Sequence, residues 1–156
     1  MTADRPDGTA PRRVLVLGGT GTIGRATVRA LAARGHAVVC LVRRPAPFPA
    51  GVTARVADVT DPAALARDGI RGEPFDVLVS CLASRTGLPD DAWAIDYRAQ
   101  VNALEAARAA GVTQVILLSA ICVQKPVLAF QHAKLAFERV LMESGLAYTI
   151  VRPTAF

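Results

Sequence analysis

Gly18-Gly19-Thr20-Gly21-Thr22-Ile23-Gly24 places three glycines at a spacing of three between two segments of different periodicity. The glycines at 18, 21 and 24 fall directly after an apolar run, Val14–Leu17, and directly before a segment in which Ile23, Thr27, Ala30 and Leu31 recur at helical spacing. A short apolar run that stops in glycines reads as a buried parallel strand. The periodic segment reads as an amphipathic helix, closed by Gly35. Between them, glycine lets the turn tighten and a phosphate approach the backbone, and the helix N-terminus offers unpaired N–H groups to an anion. The bland alternative is a glycine-rich turn with no ligand. The strand–loop–helix setting favours a nucleotide, with Gly18, Thr20, Gly21, Thr22, Ile23 and Gly24 as its contacts.

Working outward, strands are expected at His36–Val42, Val52–Ala57, Val77–Cys81, Gln114–Ser119 and Tyr148–Val151. Asp61-Pro62 opens a short helix, with proline in its first turn. Asp90 or Asp91 is expected to cap an Ala-rich helix that runs to about residue 110 and stops at Gly111. A further helix spans about Leu128 to Ser144. This alternation predicts an α/β, Rossmann-type doubly wound parallel sheet with helices on both faces, a three-layer sandwich. Residues 14–156 form the one domain and 1–13 a flexible polar lead-in. The sequence stops soon after the sixth strand begins, so a truncated form, or completion of the site by a partner, is expected.

Composition excludes several classes. Half the residues are apolar and 20% are charged, as in ordinary globular proteins. No apolar run approaches the length of a membrane span. Residues 1–13 lack a signal's apolar core, and a cytoplasmic location is expected. The net charge of +5 comes from scattered arginines with two lysines, not from a basic stripe beside aromatics, which argues against nucleic acid. Cys40, Cys81 and Cys122 are odd in number and far apart, without metal-ligand spacing. The oligomeric state is not legible.

The end of the second strand should read the adenosine ribose. An acidic residue there accepts from a 2′-hydroxyl. This sequence has Arg43-Arg44 instead, and no Asp or Glu between Gly24 and Asp58. Guanidinium groups suit a 2′-phosphate, so the expected cofactor is NADP(H) rather than NAD(H). Asp58, with Val59 beside it, either accepts from the adenine amino group or caps a helix. Ligands in such sheets lie at the carboxyl ends of strands. Those ends supply Ser80, Cys81, Leu82, Ala83 and Ser84 after the fourth strand and Ser119 to Cys122 after the fifth. Lys134 stands beside Phe130, Ala133 and Phe137 on an apolar helix face. Its ammonium either meets a cofactor ribose or snorkels to water.

The glycine loop, Ser119 and the Phe130…Lys134 spacing resemble the short-chain dehydrogenase/reductase superfamily. In that superfamily a Tyr four residues before the Lys transfers the proton. Phe130 stands at that place here, and a phenyl ring has no proton to donate to a nascent alkoxide. The blocks Ser80–Gly87 (SCLASRTG), Trp93–Tyr97 (WAIDY), Leu118–Pro126 (LSAICVQKP) and Ile150–Phe156 (IVRPTAF) are similar to the NADPH-dependent divinyl chlorophyllide a 8-vinyl reductases. That resemblance implies reduction of the C8 vinyl group of a divinyl (proto)chlorophyllide, in chlorophyll or bacteriochlorophyll synthesis, by hydride from NADPH and a proton, without a protein metal. It implies a ribose-holding and proton-supplying role for Lys134. Ser119, Ala120, Ile121, Cys122 and Gln124 would border the nicotinamide and the tetrapyrrole. The rivals are another atypical reductase or epimerase on this scaffold, and a sensor or assembly protein that binds NADP(H) without turnover.

Overall fold

The structure is a computed structural model that describes residues 10–154. Most of the polar lead-in and the closing Ala155-Phe156 lie outside the described residues. Six strands form one sheet in the order β3-β2-β1-β4-β5-β6. They are β1 (Arg13–Leu17), β2 (Ala37–Val42), β3 (Val52–Val56), β4 (Val77–Ser80), β5 (Gln114–Leu118) and β6 (Ala147–Val151). Every pairing is parallel. The order reverses between β1 and β4, which opens a crevice at the strands' carboxyl ends, where such sheets bind ligands.

The expected Rossmann architecture is present, with layers of unequal thickness. On one face, Leu15, Leu17, Leu41, Leu78 and Leu117 pack under three helical segments. These are α2 (Pro62–Ala64) with a π-helical continuation Leu65–Ile70, a rod made of α3 (Pro89–Ala92), a π-helical stretch Trp93–Ala99 and α4 (Gln100–Ala109), and α5 (Ala129–Glu143). On the other face, Val14, Val16, Val38, Cys40, Val77 and Val79 pack against Val28 and Leu31 of α1 (Thr22–Ala33) and against Phe48.

The buried stripe of α1 is shifted from the expected one. Gly24 and Val28 are its buried residues, and Ala30 is exposed. The cause is close packing at the glycine loop. A Cβ on Gly24 would lie 2.1 Å from the Gly18 carbonyl oxygen, and one on Gly19 would lie 2.3 Å from Cys40 Sγ. The helix presses on the loop through a glycine, and that contact sets its rotation. The stop signals hold. At Gly35 (φ +71°) the Gly35 N–H donates to Ala32 O and the His36 N–H to Leu31 O, and Gly111 repeats this arrangement with Arg108 and Ala107.

The start of the Ala-rich rod differs from expectation. Pro89 occupies its first turn and Leu88 is the cap, so neither Asp90 nor Asp91 caps it. Asp91 instead turns back, and its carboxylate accepts from the Thr86 N–H and hydroxyl, each at 2.8 Å. Asp61 does cap α2, accepting from the Ala63 N–H.

Candidate dinucleotide site

The glycine loop stands where β1 meets α1. Gly18 has φ +71°, and a Cβ there would lie 2.4 Å from the Cys81 carbonyl oxygen, so the loop packs directly on the end of β4. Gly21 is different. A Cβ there would meet nothing nearer than the Gly18 carbonyl oxygen at 3.5 Å. The space above Gly21 is open, and the absence of a side chain there leaves room for a ligand rather than for protein.

Two cavities flank Gly21. The larger, about 540 Å³, lies over β4 and β5 and is bordered by Thr22–Gly24, Ser119–Ile121, Phe130 and Lys134. The smaller, about 290 Å³, lies over β1 and β2 and is bordered by Gly18, Thr20, Arg43, Val59 and Ile95. Gly21, Cys81, Leu82, Ala83 and Arg85 border both. The arrangement has the plan of a dinucleotide: two compartments for two nucleosides, joined over a glycine at a helix N-terminus. A second observation fits the same ligand. Ser119 borders the larger cavity, and its Oγ is buried with no hydrogen-bond partner among the described residues. A buried hydroxyl left unpaired costs about 1–3 kcal/mol, and a ribose or amide group in the cavity would satisfy it.

Lys134 does not snorkel to water: it borders the larger cavity and is held there by protein partners. Its side chain is 8% exposed, its Nζ lies 3.0 Å from Asp96 Oδ1, and it donates to the Leu82 carbonyl at 3.2 Å. Asp96 is fully buried on the π-helical stretch, and both its oxygens accept from the Ser84 N–H at 3.3 Å. One ion pair therefore ties α5, the rod and the loop after β4 together under the larger cavity. Asp96, which also borders the larger cavity, is the main residue of the candidate site that sequence reasoning missed. It lies in the WAIDY block, but nothing in the sequence pairs it with a lysine 38 positions on.

Other candidates separate. Arg43 borders the smaller cavity and Arg44 borders neither, since successive residues at a strand's end turn to opposite sides. Hydrogen bonds from Thr60 and from Thr86 hold the carboxyls of Asp58 and Asp91, respectively, below the usual aspartate range, and the Arg43 charge adds a smaller contribution to both. Asp58 borders neither cavity. Its carboxylate accepts from the Thr60 hydroxyl (2.6 Å) and N–H (2.9 Å), the main cause of its lowered pKa, so it braces the turn after β3. Ala120 and Ile121 border the larger cavity, but Cys122 and Gln124 do not. Cys122 takes φ +63°, and its carbonyl accepts from the Lys125 N–H, a turn that carries the chain away. Gln124 reaches a separate groove with Trp93, His132 and Arg139. Ser80 is buried and donates to Gln100 Oε1 at 2.7 Å.

Fold and site together define a dinucleotide-binding Rossmann domain. The chain belongs to the NAD(P)H-binding family, whose model matches residues 18–156. It is 47% identical to the divinyl chlorophyllide a 8-vinyl-reductase of Zea mays, over 92% of this chain and 40% of that protein. The photosystem II assembly factor Ycf39 of Synechocystis is 31% identical over 92% of this chain and 45% of its own length. Among solved structures, a UDP-galactose 4-epimerase superposes with a TM-score of 0.78 at 25% identity, over 90% of this chain and 55% of that one. The chain thus spans about half or less of the proteins it matches. Among the described residues no helix is long and apolar enough to cross a membrane.

Proposed function

We propose that this chain binds NADP(H) and serves the reduction of the C8 vinyl group of a divinyl chlorophyllide to ethyl. The observation that carries the reading is the 47% identity to the maize reductase across 92% of the chain. The chemistry of the larger cavity agrees. Neither tyrosine nor histidine is among the residues that border it, and Phe130 occupies the tyrosine's place. A carbonyl reductase needs an acid beside the nascent alkoxide, whereas a conjugated vinyl group spreads the incoming charge over the macrocycle until a proton, taken from Lys134 or from water, completes the ethyl group.

NADPH, when bound, supplies the hydride. Gly21 and the N-terminus of α1 receive the pyrophosphate. Arg43 meets the 2′-phosphate, which sets NADP(H) above NAD(H). The Ser119 hydroxyl completes its hydrogen bonding on the nicotinamide side, and Ala120 and Ile121 border the reacting vinyl group. Lys134, fixed by Asp96, holds positive charge beneath the nicotinamide ribose.

The test is anaerobic incubation with divinyl chlorophyllide a and NADPH, following the Soret band and the chromatographic pigment profile. A blue shift with a monovinyl product is expected. NADPH binding with no pigment conversion, in this chain and in one carrying the remaining length of the reductases, would favour the non-catalytic reading that the likeness to Ycf39 suggests.

A further inference from the structure

The loop after β4 is held from below by two carboxylates of one rod. Asp96 accepts from the Ser84 N–H, and Asp91 accepts from the Thr86 N–H and hydroxyl. The two acids are five residues apart, a spacing that the wider π-helical turn brings onto one side of the rod. The backbone of residues 84–86 is therefore fixed, while the Arg85 side chain is exposed and makes no ion pair among the described residues.

Arg85 also has a singular position. Of the residues that border both cavities, Gly21, Cys81, Leu82 and Ala83 carry no charge and Arg85 is the cation. The passage between the cavities is where a dinucleotide's pyrophosphate must cross. The helix N-terminus at Gly21 offers the equivalent of about half a positive charge. A pyrophosphate carries roughly two negative charges, which that half-charge does not balance.

We propose that Arg85 closes over the pyrophosphate from the side opposite the glycine loop, so that the dinucleotide is clamped between Gly21 and a guanidinium. The inference rests on the dinucleotide reading and adds a binding residue to it. The planar fork of arginine suits two phosphate oxygens at once. The Asp91 carboxylate is already engaged by the Thr86 N–H and hydroxyl and makes no ion pair with Arg85. The rigid backbone means that the clamp orders only one side chain.

The experiment is calorimetric titration of the wild-type chain, Arg85→Ala, Arg85→Lys and Arg43→Ala with NADPH, NADH and adenosine 2′-monophosphate, which has a 2′-phosphate but no pyrophosphate. The exposed position of Arg85 leaves folding unaffected, and thermal melting checks this. Arg85→Ala is expected to weaken NADPH and NADH by the same factor, on the order of tenfold to a hundredfold, the range for a charged hydrogen bond. It should leave the mononucleotide unchanged, and Arg85→Lys should recover part of the loss. Arg43→Ala should show the converse, weakening NADPH and the mononucleotide but not NADH. The clamp is overturned if Arg85→Ala leaves both dinucleotides unchanged, or if it weakens the mononucleotide as much as NADPH. Failure of the wild-type chain to bind any of the three would overturn the dinucleotide reading itself, a result separable from loss in the variant alone.

Discussion

Replacing Asp96 by Ala removes one half of a buried ion pair. The Asp96 side chain is fully buried and that of Lys134 is 8% exposed, so water cannot take the missing partner's place. Lys134 keeps only the Leu82 carbonyl, and the Ser84 N–H loses both of its acceptors. Stripping one partner from a buried pair costs about 3–5 kcal/mol, because a desolvated charge is left uncompensated. A domain of this size loses about 2–4 °C in Tm per kcal/mol, which places the variant roughly 6–20 °C below wild type. The assay is urea unfolding at pH 7 on wild type, Asp96→Ala, Lys134→Met and the double variant. Removing both charges leaves no unpaired ion, so the double variant should recover most of the loss, with a coupling of about 2 kcal/mol or more. If Asp96→Ala unfolds within about 0.5 kcal/mol of wild type, or the two single losses simply add, the pair does not hold the site together and the reasoning fails.

Two further predictions concern buried ionisable groups. Glu138 is fully buried and accepts from Arg152 Nε at 3.1 Å and from its terminal nitrogen, while Arg152 is 41% exposed. Arg152→Ala should therefore cost more in urea unfolding than Glu138→Gln, since it strands a buried carboxylate, whereas Arg152 alone can turn to water; the reverse order would contradict the placement. Burial pushes the Cys40 thiol from its ordinary 9.0 up to about 11. Between those pH values the unfolded chain releases this proton and the folded chain keeps it, so stability falls as pH rises. Stability measured from pH 8 to 11 should fall less steeply in Cys40→Ala than in wild type, and parallel curves would refute the assignment.

The sheet was legible in the sequence because most of its strands are short apolar runs between turn or helix signals, and each predicted strand lies within one residue of the observed one. The helix stops at Gly35 and Gly111 were legible for a local reason, since a left-handed residue is needed there. What was not legible depends on distance. The rotation of α1 is set by contact between Gly24 and the Gly18 carbonyl, and a periodicity count does not weigh glycine as a packing residue. Asp91 reads as a cap by position, yet Thr86 and the Pro89 start of the rod claim it. Lys134 was recognised as needing a partner. The partner is Asp96, which only the crossing of α5 over the rod brings near. The π-helical stretches have no signature in the apolar pattern, although one of them sets the spacing of the two acids beneath the loop.

The central claim is that the opening above Gly21 exists for a phosphorylated dinucleotide. The most direct measurement is calorimetric titration of wild type and Gly21→Ala with NADPH and NADH, beside thermal melting of both proteins. A Cβ at Gly21 meets no protein atom closer than 3.5 Å, so the variant should melt with wild type. The same Cβ fills the space the pyrophosphate needs. Wild type is expected to bind NADPH more tightly than NADH, and Gly21→Ala to weaken NADPH by about tenfold or more, equivalent to about 1.4 kcal/mol. Equal NADPH affinity in the two proteins, or no binding by wild type, would contradict the claim.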